Sequence, residues 1–169
     1  EQLSLAECQG ERAAAGKALC SLANVAGLSG LYAEAERLFE RALETAREIR
    51  SDQLEADVLG NLAILYDDAG RPEEAVDAYR RALEVARRIG DSAGESRHLG
   101  NLAGLYKHIA ETGKAIDLYR EQLGIVRDLK DRKAQAAALH NLGLIYLDRD
   151  ELEVATEAFE EALTLRRRA

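Results

Sequence analysis

The triplet Asn-Leu-Ala/Gly begins at Asn61, Asn101 and Asn141, so it recurs every 40 residues. One further step back, Ser21-Leu22-Ala23 is a weaker fourth copy. Other positions hold the same register: Ala35, Ala75, Ala115 and Ala155; Phe39, Tyr79, Tyr119 and Phe159; Leu43, Leu83, Leu123 and Leu163. Tyr66, Tyr106 and Tyr146 align as well, with Ala26 in the first copy. A unit repeated at this period is one supersecondary module, and such modules bury their apolar faces by stacking.

Each unit carries two helical periodicities. Leu59, Leu62, Ala63 and Tyr66 stand at i, i+3, i+4 and i+7, which is one face of a helix. Ala75, Tyr79, Ala82, Leu83 and Ala86 mark a second. Between them, Gly70 suits a helix C-terminus and Pro72 the first turn of the next helix. Ser51, Asp91 and Asp131 sit where N-caps belong. These signals predict first helices over 12–28, 52–68, 92–108 and 132–148. Second helices are expected over 33–49, 73–89, 113–129 and 152–168. The repeats run approximately over 11–50, 51–90, 91–130 and 131–169. Residues Leu3 to Gly10 repeat the pattern of Leu83 to Gly90 and read as the second helix of a preceding repeat. Both ends of the chain therefore read as cuts through a longer array. The apolar flank around Leu163 then lacks a cover, and end-to-end self-association is expected.

Composition narrows the function. A net charge of −8 disfavours nucleic acid or an anionic membrane as the main partner. Two cysteines cannot build a disulfide framework or a four-ligand zinc site, and Cys8 and Cys20 read as free thiols. His108 ends one first helix and His140 begins the next, about 12 Å apart along roughly parallel axes, too far for a shared metal. Arg166, Arg167 and Arg168 read as a solvated helix end that complements the helix dipole. No phosphate loop, nucleophile elbow or Ser-His-Asp set is evident. A catalytic role, a cofactor and a metal are not expected.

The pattern Leu59-x2-Leu62-Ala63-x2-Tyr66-x8-Ala75-x3-Tyr79-x2-Ala82 resembles the tetratricopeptide repeat over about residues 12–169. It departs from the family in its 40-residue period, in Leu19, Leu59, Leu99 and Leu139 at the early aromatic position, and in Gln122 where Ala is usual. The longer period is similar to that of the Pins-type polarity adaptors and of bacterial regulators. The resemblance implies an all-α, right-handed α-solenoid of helix-turn-helix repeats, with first helices lining a concave groove. It implies a cytoplasmic, non-catalytic adaptor that binds a peptide or protein partner. A structural, self-assembling module and a sensor segment of a larger bacterial regulator are the alternatives.

The resemblance places the groove on one side of the first helices. In the second repeat that side carries Asp57, Asn61, Ile64 and Asp68; in the third it carries Arg97, Asn101, Gly104 and His108, with Lys107 beside them. In the fourth it carries Asn141 and Leu144, and in the first Lys17 and Asn24. By resemblance, Asn61, Asn101 and Asn141 match a groove Asn that bonds peptide backbone, since an amide both donates and accepts. The same residues could instead bond a neighbouring helix and fix repeat packing. Gly60, Gly100 and Gly104 would let a ligand approach the helix. A ligand carboxylate would prefer the basic third repeat, and a basic group the acidic second.

Overall fold

A computed structural model describes the backbone of residues 2–167 and the side chains of residues 10–167; Cys8 and Arg168 lie outside the described side chains. The described residues form eight helices: α1 Gln2–Leu28, α2 Tyr32–Glu48, α3 Asp52–Asp68, α4 Pro72–Ile89, α5 Ser92–His108, α6 Thr112–Asp128, α7 Arg132–Asp148 and α8 Leu152–Arg167. The helix bounds agree with the sequence expectation to within a residue or so after the first helix. The exception is α1, which runs without a turn through Gly10 and joins the segment read as a separate remnant to the first helix.

The turns explain the regularity. Residues 30, 50, 70, 90, 110, 130 and 150 all have positive φ, from 53° at Arg50 to 77° at Gly30. In each turn the next residue's N–H bonds the carbonyl five positions back. These bonds run from Leu31 to Ala26, Ser51 to Ala46, Arg71 to Tyr66, Asp91 to Ala86, Glu111 to Tyr106, Asp131 to Val126 and Glu151 to Tyr146. All measure 2.8–3.0 Å. This is the Schellman arrangement, which satisfies carbonyls that a helix end would otherwise leave unbonded. The next helix starts at once. The Ser51 hydroxyl accepts from the Leu54 N–H, the Asp131 carboxylate accepts from the Ala134 N–H, and Pro72 opens α4 where no N–H is needed.

The chain divides into two compact units, Glu1–Asp91 and Ser92–Ala169. In the first, α1 packs on α2, α2 on α3 and α3 on α4, while α1 also touches α3. Its core gathers Phe39, Leu43 and Ala46 of α2 with Leu54, Val58, Leu59, Leu62 and Leu65 of α3. In the second, α5 packs on α6, α6 on α7 and α7 on α8. There Leu123 and Val126 of α6 cluster with Ala136, Ala138 and Leu139 of α7 and Ala162 of α8. Small residues let paired helices close up. A Cβ on Gly143 of α7 would stand 2.6 Å from the Phe159 ring of α8.

Four of the seven αL positions hold Arg50, Ala110, Lys130 or Asp150 rather than Gly. A non-Gly residue there costs about 1–2 kcal/mol, partly offset by the larger entropy that Gly loses on folding. Ala110→Gly should therefore stabilise the protein by about 0.5–1 kcal/mol, and Gly70→Ala should destabilise it by a similar amount. Urea denaturation midpoints check both; equal and unchanged midpoints would contradict the turn assignment.

Candidate functional site

Within the first unit, α1 and α3 lie side by side because Gly27 leaves room for Leu65. A Cβ on Gly27 would stand 2.9 Å from the Leu65 side chain. The two helices border a cleft of about 320 Å³ lined by Ala23, Asn24, Gly27 and Leu28 of α1, Phe39 of α2, and Asn61, Ile64, Leu65 and Asp68 of α3. Its inner wall is apolar, since Ala23, Phe39 and Leu65 are buried. Leu28 and Ile64 stand exposed at the rim. Two amides and one carboxylate face this apolar wall, an arrangement able to bond an extended main chain and hold an apolar side chain below it.

Four of the sequence-derived residues, Asn24, Asn61, Ile64 and Asp68, thus meet at one cleft. Lys17 and Asp57 lie N-terminal to the lining residues of α1 and α3 and do not line it. Asp57 lies instead near Cys20, whose thiol is pushed above its ordinary value by burial first and by the Asp57 charge second. In the second unit, α5 exposes Arg97, Asn101 and His108, with Lys107 half-buried; on α7, Asn141 and Leu144 are half-buried.

Of the glycines read as points of ligand approach, Gly100 faces a close neighbour within the chain. Gly60 is buried within α3. A Cβ on Gly100 would stand 2.5 Å from the Gln122 amide of α6, and one on Gly104 would stand 3.6 Å from the Tyr119 hydroxyl. Gln122 explains Gly100: its side chain fills that space and donates to the Ser96 carbonyl at 3.0 Å. Elsewhere the same two positions hold Gly60 with Ala82 and His140 with Ala162. The His140 ring packs at 5.5 Å on Phe159. His98 is buried. Among the described residues no group of three or more His, Cys, Asp or Glu is placed to hold a metal ion.

Two polar features escape sequence reasoning. Where α2, α3 and α4 meet, the Tyr66 hydroxyl donates to Glu36 at 2.9 Å, and Arg71 donates to Glu36 at 2.8 Å and to Glu74 at 2.6 Å. The Arg71 guanidinium also covers the Tyr66 ring at 4.4 Å. In the second unit the corresponding positions hold Ile116 and Glu151, and Tyr146 is served instead by Arg120 at 2.9 Å. A cleft of about 290 Å³ opens there, lined by Gly113, Ile116, Asp117, Arg120, Tyr146, Arg149 and Glu151. The repeat alignment identifies Tyr66 and Tyr146 as equivalent, but their partners change from copy to copy.

A tetratricopeptide repeat model matches residues 14–88 and again 94–168. The chain belongs to the tetratricopeptide repeat family. It is similar to BtubC from P. vanneervenii, with 27% identity and a TM-score of 0.85 over 94% of this chain and 65% of that one. It is also similar to a STAND signal transduction ATPase with a tetratricopeptide repeat sensor from Pyrococcus horikoshii. There the identity is 21% and the TM-score 0.82, over 92% of this chain and 25% of that one. Aspartyl phosphate phosphatase F from Bacillus subtilis shares the fold at 12% identity and a TM-score of 0.86, over 93% of this chain and 41% of that one. The chain thus spans less than two thirds of each of these structures. No curated protein matches the sequence. Among the described residues no helix is long and apolar enough to cross a membrane.

The Tyr66 network makes the tetratricopeptide repeat pH-sensitive at both extremes. The Tyr66 phenol is pushed up to about 12, by burial first and by its bond to Glu36 second. A raised folded value means that its contribution is complete below the unfolded value near 10 and fades as pH rises through about 12. Glu36 is held below its ordinary value, chiefly by the bond from Arg71. Its contribution is complete above the unfolded value near 4.5 and fades as pH falls through the lowered one. Thermal melts should show Tyr66→Phe losing less stability than the parent between pH 10 and 12, with the remainder set partly by buried Tyr119. Identical alkaline losses in both proteins would contradict the network.

Proposed function

We propose that the chain is a non-catalytic protein-interaction module that takes a peptide segment into the α1–α3 cleft. One observation carries this reading: Asn24 and Asn61 converge over an apolar wall of Ala23, Phe39 and Leu65. The amides supply main-chain bonds that tolerate any sequence, and the wall supplies a seat for one apolar side chain. Asp68 at the same cleft favours a peptide with a basic residue beside that anchor. Separately, α5 offers Arg97, Asn101, Lys107 and His108 to a ligand carboxylate, with Asn141 and Leu144 on α7 as further contacts. Tetratricopeptide repeats as a family mediate protein–protein interaction, which supports the reading. The free, buried Cys20 thiol is in keeping with a reducing compartment, and we assign the module to the cytoplasm. Nothing in the reading calls for a cofactor.

Each neutral hydrogen bond is worth about 0.5–1.5 kcal/mol net, so affinity should be micromolar unless several apolar anchors dock. The test is selection from a random peptide library followed by titration calorimetry. Asn61→Ala should weaken the selected peptide several-fold and Ile64→Asp more. Arg97→Glu should weaken only peptides that carry a carboxylate and remove most of their salt dependence. If Asn61→Ala binds normally but melts at a lower temperature, that residue is structural and the cleft is not the binding site.

A further inference from the structure

In the first unit a carboxylate completes the tyrosine cluster. Glu36 receives the Tyr66 O–H at 2.9 Å and an Arg71 N–H at 2.8 Å. The second unit keeps a phenol and an arginine at the equivalent place but lacks the carboxylate. Tyr146 stands where Tyr66 does, and buried Ile116 stands where Glu36 does. The Tyr146 oxygen accepts from Arg120 at 2.9 Å, so its own proton must find another acceptor. Among the described residues none takes it, and Arg120 has no carboxylate partner.

Both groups border the cleft of about 290 Å³ between α6 and the turn that joins α7 to α8. Gly113 lowers its rim, standing where the other repeats carry Ala33, Glu73 and Glu153. Arg149 lies on the same cleft, paired with Glu151 at 2.6 Å. Asp117 also lines it but bonds neither arginine. We infer that this cleft binds a carboxylate of a peptide, from an acidic side chain or a C-terminus. That carboxylate takes, on the Tyr146 O–H and the Arg120 guanidinium, the place that Glu36 holds in the first unit.

The donors fit this ligand. A guanidinium carries N–H groups in a planar fork, and one bond to a phenol leaves others for a carboxylate. The phenol O–H adds a further donor beside it. Charge selects among anions: Arg120 and Arg149 are balanced by Asp117 and Glu151, so the cleft suits one negative charge better than the near-dianion of a phosphate. Asp117 is the internal rival, one turn before Arg120 on α6, and its charge opposes the ligand's. The site shares no residue with the α1–α3 cleft or with Arg97, Asn101, Lys107 and His108 of α5. It therefore stands or falls apart from the function proposed for those residues.

The experiment is a nitrogen-15 NMR titration of the full chain with small probes. These are acetyl-Gly-Glu-Gly-amide, acetyl-Gly-Gly-Gly with a free C-terminus, acetyl-Gly-Gln-Gly-amide and inorganic phosphate. The Arg120 side-chain N–H and the amides of Gly113 and Arg149 should shift and saturate at roughly millimolar probe, as befits a lone carboxylate. Saturation by the Glu peptide assigns a side-chain carboxylate, and saturation by the free C-terminus assigns a chain end. The Gln peptide should move none of these signals, and phosphate should bind more weakly. Arg120→Gln, a change at an exposed position, should weaken binding about tenfold with the helical circular dichroism unchanged. Tyr146→Phe should weaken it several-fold, and Asp117→Asn should tighten it. Ile116→Glu should abolish it by supplying the carboxylate from within. The inference is overturned if neither carboxylate peptide shifts these signals, or if phosphate binds more tightly than both. Full binding by Arg120→Gln, or shifts confined to Arg97 and Lys107 on α5, would overturn it equally.

Discussion

The fold depends on one backbone bond made seven times, from the residue after an αL turn to the carbonyl five positions earlier. Because the turn has the same form and length each time, every helix from α3 to α8 starts 20 residues after the one before it. A tight turn of this kind sends the chain back along itself, so consecutive helices within each unit are antiparallel neighbours. That fixed reversal keeps Ala35, Ala75, Ala115 and Ala155 at the same place on successive second helices, each buried, where two helices must come close.

Once reversal and spacing are fixed, burial decides what remains for function. On α3, Leu54, Val58, Leu59, Leu62 and Leu65 share one buried cluster with α2 of the preceding repeat and with Ala82 and Val85 of α4. The side carrying Asp57, Asn61, Ile64 and Asp68 is the most open one left on α3. In the first unit that leftover side faces α1, where Gly27 and Ala23 leave a hollow rather than bulk. The cleft is thus a by-product of packing small residues beside two amides. The same packing consumes Gly100 and Gly143, whose missing side chains make room for Gln122 and Phe159.

The helix bounds were legible in the sequence because the repeat sets them four times over and errors in one copy are corrected by the others. Gly70 and Gly90 announced their turns, but Arg50, Ala110, Lys130 and Asp150 did not. At those four positions the bonds closing the turn override the residue's own preference. The convergence of Asn24, Asn61, Ile64 and Asp68 was legible, since equal register and one helix face suffice to bring them together. Lys17 and Asp57 stand on their helices N-terminal to the residues that line the hollow, and only the structure shows how far it extends. At Gly100 the absence of a side chain reveals that something comes close, not that it is Gln122. The Glu36–Tyr66–Arg71 and Arg120–Tyr146 pairings lie 26 to 35 residues apart and differ between copies, so periodicity carries no trace of them.

If the αL turn bonds hold the helices in register, the amides that make them must be as protected as the helices they join. Hydrogen exchange resolved to single amides, at Ser51, Arg71, Glu111 and Asp131, tests this most directly. Each should exchange at the rate of the buried amides in its two flanking helices, since the bond breaks only when the pair opens. Exchange at these four amides as fast as in an unstructured loop, with the flanking helices still protected, would contradict it.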